Sequence, residues 1–411
     1  MNVSDIYDRL AAAASLEGAD AAIRFRGTYE PTAGAGSKVS PPTYPVEDRD
    51  TPYLFEERRL PGGGKRAVLL DSRQAQANRC EEALAGAIER NEIWVPHLVL
   101  EVETHGRHLR ITSLTAPHRS RDAYFRDAED LEGRPFDETE AGQALAACTP
   151  EDATALYRYA PTDLVYGVWD SHRGLRLAAR FPRVYTSEVV GWHPAEGKRA
   201  AGRFDLYTSG KERVSGGDRN KVTGEWVSWA QDPKGKKKKN QDPKGKKKEK
   251  DEKKLSELGL GAIPPRTKNK HGQPMPGGVT VDGIERLAVL SFPALARVRL
   301  GRDPHAARAG RAVLAALAIL GDRLAFGGAG VFLRSGCDLV KVTEELAWVG
   351  AGGASEPVEI DREGTLDLFR HAVARAEDAG LAWHSEPVLL RPQENLQAAF
   401  DTAFFKGIEE E

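Results

Sequence analysis

Alternating apolar and polar positions mark strands along this chain, and apolar spacing of three or four residues marks helices. A short helix opens the sequence and leads into a strand near Ala21–Arg26. From Gly27 to Gly64 the periodicity gives way to a Pro-, Gly- and Thr-rich stretch, predicting a long loop of the functional or disordered kind. Ala67–Leu70 is a compact apolar strand, after which Asp71 and Ser72 offer N-cap oxygens to a helix. In that helix Ala77, Cys80, Leu84, Ala87 and Ile88 form one stripe, with Arg73, Gln76 and Arg79 read as off it.

His97–Ile111 has the pattern of a β-hairpin, VLEVET and RHLRIT around a His-Gly turn. A polar helix or loop follows (APHRSRDAYFRDAED, then Thr139–Cys148), and Asp163–Trp169 and Leu175–Phe181 read as strands around SHRG. Arg183–Trp192 is moderately apolar and leads into a glycine-rich region. Regular spacing resumes with a strand at Ile284–Phe292, a possible one at Ala296–Leu300, and a helix at His305–Leu320. Short strands at Val331–Arg334 and Asp338–Val342, a helix at Thr365–Ala379 stopped by Gly380, a strand at Val388–Leu390 and a terminal helix from about Gln393 complete the pattern. Hairpins mixed with helices and long insertions predict an α+β fold with an antiparallel core rather than a doubly wound parallel sheet.

The clearest boundary is compositional. QDPKGKKKKN is followed at once by QDPKGKKKEK, and such a stretch cannot bury apolar surface. Over 231–254 twelve Lys face five acids, a local charge of about +7, so the rest of a chain of net charge −2 is near −9. Nucleic-acid contact outside the lysine stretch must therefore come from local patches. A disordered solubilising loop and a nonspecific electrostatic arm are both open readings of the repeat. At 411 residues, 40% hydrophobic and 29% charged, the chain is long enough for two or three units of roughly 100–200 residues and too apolar for wholesale disorder. The expected division is 1–183, 184–278 and 279–411, with an insertion at about 27–64. Three cysteines, Cys80, Cys148 and Cys337, without metal-ligand spacing, fit a reducing compartment. The first twenty residues lack a cationic n-region, and no apolar run nears the roughly 20 residues of a membrane span, so a cytoplasmic protein without a membrane partner is expected.

Motifs for catalysis are weak. PGGGKR at Pro61–Arg66 lacks the spacing and hydroxyl of a phosphate-binding loop and reads better as a basic hairpin turn. His105, His108, His118, His172 and His193 are scattered and form no metal pair. No cofactor, metal or catalytic residue is expected. Arginines grouped with hydroxyls and amides are more informative: DSRQAQANR (71–79), HRSR (118–121), RFPRVYTS (180–187) and LRS (333–335). Guanidinium forks suit phosphate oxygens, and Ser, Thr and Asn fill remaining acceptors, a chemistry that positions a backbone without reading bases. FGGAG (326–330) reads equally as a helix-to-strand turn or as a loop whose missing side chains admit a sugar-phosphate backbone.

Three stretches, LLDSRQAQANRCEEAL (69–84), FPRVYTSEVVG (181–191) and FLRSGCDLV (332–340), supported by LSELGLGAIPP and GGVTVDGIERLAVLSF, resemble one family. It is the RAMP-type backbone subunit of type I-G (formerly I-U) CRISPR Cascade complexes, the Cas-seven group also called Csb-one or GSU-type. The resemblance covers about residues 20–345, and the duplicated lysine stretch departs from it. It implies a ferredoxin-like (RRM-like) palm with inserted thumb and finger segments. Copies of the subunit would stack into a filament along one CRISPR guide RNA, kink it at intervals and present its bases to target DNA, alongside other Cascade subunits and a recruited helicase-nuclease. Sequence would then be read by base pairing while protein holds the backbone. On this reading Arg73, Gln76, Asn78 and Arg79 contact the guide, with Arg119, Arg183, Thr186, Ser187 and Arg334 next, and Gly327, Gly328 and Gly330 form the close-approach loop.

Two other functions stay open. A RAMP endoribonuclease would use a histidine such as His118 as general base, or a magnesium-dependent aspartate. A generic nucleic-acid scaffold would depend on the lysine arm.

Overall fold

The computed structural model describes residues 2–15, 17–45, 51–169, 180–207, 213–215, 252–254, 261–268, 272 and 275–409. The chain divides into two compact units, one of residues 1–45, 52–196 and 279–398, the other of 46–51, 197–278 and 399–411. Among the described residues no helix is long and apolar enough to cross a membrane.

The first unit begins with α1 (Val3–Ala13), β1 (Asp20–Pro31), the hairpin β2 (Phe55–Leu60) and β3 (Gly63–Asp71), and α2 (Arg73–Glu89). It continues through the hairpin β4 (Leu98–Thr104) and β5 (Arg107–Thr112), α3 (Pro161–Tyr166), the short pair β6 (Val168–Trp169) and β7 (Arg180–Phe181), and β8 (Tyr185–Trp192). It resumes with β9 (Gly283–Ser291), α4 (Pro304–Phe326), β10 (Gly330–Phe332), β11 (Asp338–Gly350), β12 (Ser355–Pro357), α5 (Arg362–Asp378) and β13 (Val388–Pro392).

Eight strands form one sheet in the order β10-β11-β1-β9-β8-β3-β2, with β12 on β11, and each pairing is antiparallel. The α+β reading therefore holds. In the middle of this sheet the order is β11-β1-β9-β8, with α2 entering the chain between β1 and β8 and α4 between β9 and β11. Period-two patterning decides the two faces. Ile23, Phe25, Gly27 and Tyr29 on β1 and Ile284, Arg286, Ala288 and Leu290 on β9 are buried, while the residues alternating with them are half-buried or exposed. Helices α2 and α4 pack on each other and on β8 and β9 respectively, covering the inward face. A smaller sheet, β5-β4-β13 followed by Ala128–Glu129, pairs β13 with β4 in parallel.

Local chemistry sets the helix ends. The Ser72 side chain accepts from the Ala75 N–H at 3.2 Å and starts α2. Asp303 accepts from the His305 N–H at 2.9 Å ahead of Pro304, which supplies a fixed φ at the first position of α4. Asp361 accepts from the Gly364 N–H at 2.8 Å to open α5, and Gly380, at φ 85°, lies just beyond its end.

Several sequence expectations are corrected. The stretch 27–64 is not all loop: β1 continues to Pro31 and FEERRL forms β2, which has no apolar alternation and is held by its ladder with β3. Asp163–Tyr166 is helical, because Pro161 starts α3 and the segment is buried all round, a pattern that spacing alone cannot tell from a buried strand. Of Leu175–Phe181 only Arg180–Phe181 lies within the described residues. Ala296–Leu300 is irregular, following a short turn of helix at Phe292–Leu295 capped by Ser291. The strand expected at Asp338–Val342 runs on to Gly350.

In the second unit, Ala201–Arg203 pairs with Ile263–Arg266 and Arg213–Ser215 with Glu252–Lys254. Phe204, Leu206 and Tyr207 are exposed. Apart from Glu252–Lys254, the lysine repeat lies outside the described residues.

Candidate nucleic-acid interface

Some of the predicted contact residues fall on one or the other face of the large sheet. On the helix-covered face they join a buried polar network. Arg286 occupies the inward position between Ile284 and Ala288 on β9 and is 1% exposed. Its guanidinium donates to Asp322 of α4, to the Tyr185 hydroxyl at 2.5 Å and to Gln76 Oε1 at 3.2 Å, and stacks over the Phe326 ring at 3.8 Å. Gln76 Oε1 also accepts from Ser187 Oγ at 2.7 Å, and Gln76 Nε2 donates to Asp71 at 2.6 Å. Asp71 in turn accepts from Arg79 Nε at 2.9 Å, and another Arg79 nitrogen donates to the Phe332 carbonyl at 3.0 Å. At the other end Arg323 bridges Asp322 and Glu344. Burial opposes the charge on Asp322, but Arg286 and Arg323 outweigh it and hold the carboxyl below its usual range.

This network ties DSRQAQANR, RFPRVYTS and GIERLAVL together through their polar side chains, and FLRSG joins through the Phe332 backbone carbonyl. It also places the Gln76 and Ser187 side chains among buried hydrogen-bond partners. Gln76 is fully buried and Ser187 2% exposed, although Ser187 also borders a cleft on the opposite face. Gln76 precedes Cys80 by four residues and shares its stripe, and strand alternation places Arg286 inward. Both were legible. Asp322 stands out as a carboxylate in the long apolar run of α4.

A second buried cluster takes Arg119 out of the surface. Its guanidinium makes a two-pronged pair with Glu81 (2.6 and 2.8 Å) and donates to the Gly167 carbonyl at 3.0 Å. Burial pushes Glu81 up to about 7 against the pull of Arg119. Nearby, Ser120 donates to the fully buried Asp163, whose carboxyl burial raises to about 6. Arg119 therefore serves the core. Arg183 is half-buried and donates to the Tyr166 carbonyl at 3.0 Å. Burial, with Arg119 and Arg73 close by, holds its guanidinium below the ordinary arginine range.

The helix-free face is different. Arg24 and Arg26 of β1 are exposed on it, with Thr28, Thr186 of β8, Leu287 and Val289 half-buried. Arg73, exposed at the start of α2, joins Arg24, Arg26, Thr186, Leu287 and Val289 in lining a cleft of about 370 Å³. A second cleft of about 680 Å³ shares Arg26 and Leu287 with the first and adds Arg58, Arg59, Lys65 and His193. Glutamates hold the arginines in place: Arg26 to Glu285 at 2.9 Å, Arg58 to Glu188 at 2.7 Å, Arg73 to Glu188 at 3.6 Å and Arg24 to Glu345 at 3.4 Å. The Thr28 and Thr343 hydroxyls lie 2.6 Å apart. A sheet face set with guanidiniums, hydroxyls and apolar side chains can take phosphate on the first, ribose on the second and base faces on the third. Of the predicted contacts, Arg73 and Thr186 lie here; Arg24, Arg26 and Arg58 were missed, although alternation along β1 turns both of its arginines outward.

The remaining positions are dispersed. Asn78 is half-buried on α2, and Arg334 is exposed and paired with Glu82. Gly327, Gly328 and Gly330 are exposed in a helix-to-strand turn. A Cβ on Gly327 would come 2.3 Å from the Arg323 carbonyl oxygen, and one on Gly330 2.6 Å from that of Leu339, so the close approach these two glycines allow is to the chain's own backbone. PGGGKR is the β2–β3 turn, with Gly62 at φ 94° and Gly63 at 128°. His118 is exposed, and Asp122 accepts from its backbone N–H at 3.0 Å.

Residues 23–195, less than half the chain, match the sequence family described as CRISPR-associated protein GSU0053. No curated protein matches the chain.

Proposed function

We propose, from the match of residues 23–195 to the CRISPR-associated GSU0053 family, that the chain is a non-catalytic backbone subunit of a type I-G Cascade complex. It holds a CRISPR guide RNA, stacks with copies of itself along it, and presents the bases to target DNA in the cytoplasm. Other Cascade subunits and a helicase-nuclease are its further partners. The reading is carried by one observation: among the described residues, the face of the central sheet turned away from α2 and α4 sets Arg24, Arg26, Arg73 and Thr186 beside two clefts. The strand order β11-β1-β9-β8, with a helix in each half, supports a ferredoxin-like palm. Within the expected region 184–278 the stretch between β8 and β9 fits the thumb, and within 27–64 the stretch between β1 and β2 fits the finger segments.

Co-expression with a CRISPR array and sister subunits tests this. Guide RNA of uniform length should co-purify with a multimer of the chain, and incubation of the assembled protein with precursor RNA, with and without magnesium, should leave the RNA intact. A monomer free of RNA would refute the reading. Cleavage lost on His118→Ala, or cleavage requiring magnesium, would replace it with an endoribonuclease.

A further inference from the structure

Among the described tryptophans Trp169 alone is exposed, at 56%. An indole left in water is unusual unless one end of it serves a contact. Trp169 stands on β6, opposite Arg180 of β7, whose guanidinium carbon lies 5.9 Å from the centre of the ring. The base of this hairpin is tied down: the Gly167 carbonyl accepts from Arg119, and the Tyr166 carbonyl from Arg183. Gly167 has φ 83°, and a Cβ there would come 2.8 Å from Arg183 Cγ, so the hairpin base lies directly against that arginine. Arg73 and Arg119 are close enough to depress Arg183 further. Four arginines therefore gather around the hairpin base and the start of α2. Glu81 pairs with Arg119 while its charge also reaches Arg183, and Glu188 is shared between Arg58 and Arg73, so among the described residues the guanidiniums here outnumber these carboxylates.

We propose that Trp169 is a stacking platform for one unpaired base of a bound single-stranded RNA, with Arg73, Arg180 and Arg183 receiving the flanking phosphates. The inference rests on the RNA-binding reading above and adds a base contact to it. An exposed aromatic ring beside a surplus of guanidiniums fits a strand that carries π-faces on an anionic backbone. An apolar protein surface would leave those cations desolvated and unpaired, which disfavours it as the occupant.

The test uses the full chain with two end-labelled probes of equal length, oligoadenylate and a ribose-phosphate oligomer without bases. Trp169→Ala should weaken oligoadenylate binding about 5-fold or more, the equivalent of about 1 kcal/mol per stacked base, and leave the abasic probe unchanged. Trp169→Phe should restore most of the loss, and Arg73→Ala should weaken both probes. Wild-type affinity of Trp169→Ala for oligoadenylate would overturn the platform while leaving RNA binding standing. So would intact RNA affinity with lost self-association, which would assign the ring to a protein contact. Failure of the wild-type chain to bind either probe would remove the RNA-binding reading, and the platform with it.

Discussion

On the two faces of the large sheet the same residue types do opposite work. Arg26 of β1 and Arg286 of β9 lie on adjacent strands, Arg26 opposite Leu287 in the register, and each is paired with a carboxylate. Arg26 faces away from the helices, half exposed, beside Glu285. Arg286 faces α4 and is enclosed by Asp322, Tyr185, Gln76 and Phe326. Water screens the first pair and makes it weak, whereas loss of one partner of the second strands a charge in the core. An arginine's contribution therefore follows from its face and not from the motif it stands in. The motif words that suggest RNA contact include Gln76, Arg79 and Ser187, whose bonds tie α2 to the large sheet. Arg73 from those words lines the first cleft together with surface arginines that stand outside them, Arg24 and Arg26.

The two faces should differ most at Arg286. Arg286→Ala should cost about 3–5 kcal/mol in chemical denaturation, because Asp322 would be left buried with only Arg323 to balance it. A loss no larger than that of an exposed arginine would mean the network does not bear on stability.

A smaller effect belongs to Asp163, and it depends on pH. Its carboxyl is raised from 3.8 to about 6 in the folded chain by burial. Between those values the native state binds more protons than the unfolded state, so stability falls as pH rises through that window, by at most about 3 kcal/mol. Asp163→Asn should flatten this slope. Thermal denaturation of both proteins across the window measures it, and parallel slopes would count against the assignment.

The smallest stability effect is expected on the helix-free face. Arg24→Ala with Arg26→Ala should change folding free energy by no more than about 0.5 kcal/mol per site. Binding should respond instead: the salt dependence of single-stranded RNA affinity should become shallower, by about 0.7 in log–log slope for each phosphate that is no longer neutralised. An unchanged slope would move the interface elsewhere.

Much of the architecture was readable from residue order. Alternation in β1 and β9, the Ser72 cap and the His105-Gly106 hairpin turn are properties of a few neighbours, and the structure follows them. Mixed hairpins and helices gave the α+β class for the same reason. The failures share a cause. FEERRL is a strand only because β3 lies beside it, and Asp163–Tyr166 is a helix because Pro161 starts it and its neighbours bury it.

What the sequence determined by itself is the period of each segment, the caps that end it and the family words it carries, since these depend on contacts within a few residues. Which face each arginine occupies, that Gln76 bonds Ser187 and Arg286 across more than a hundred residues of chain, and that Trp169 is left in solvent beside Arg180 were decided only by the tertiary structure. Burial and charge pairing are properties of neighbours in space, and linear spacing constrains those neighbours only inside a single element.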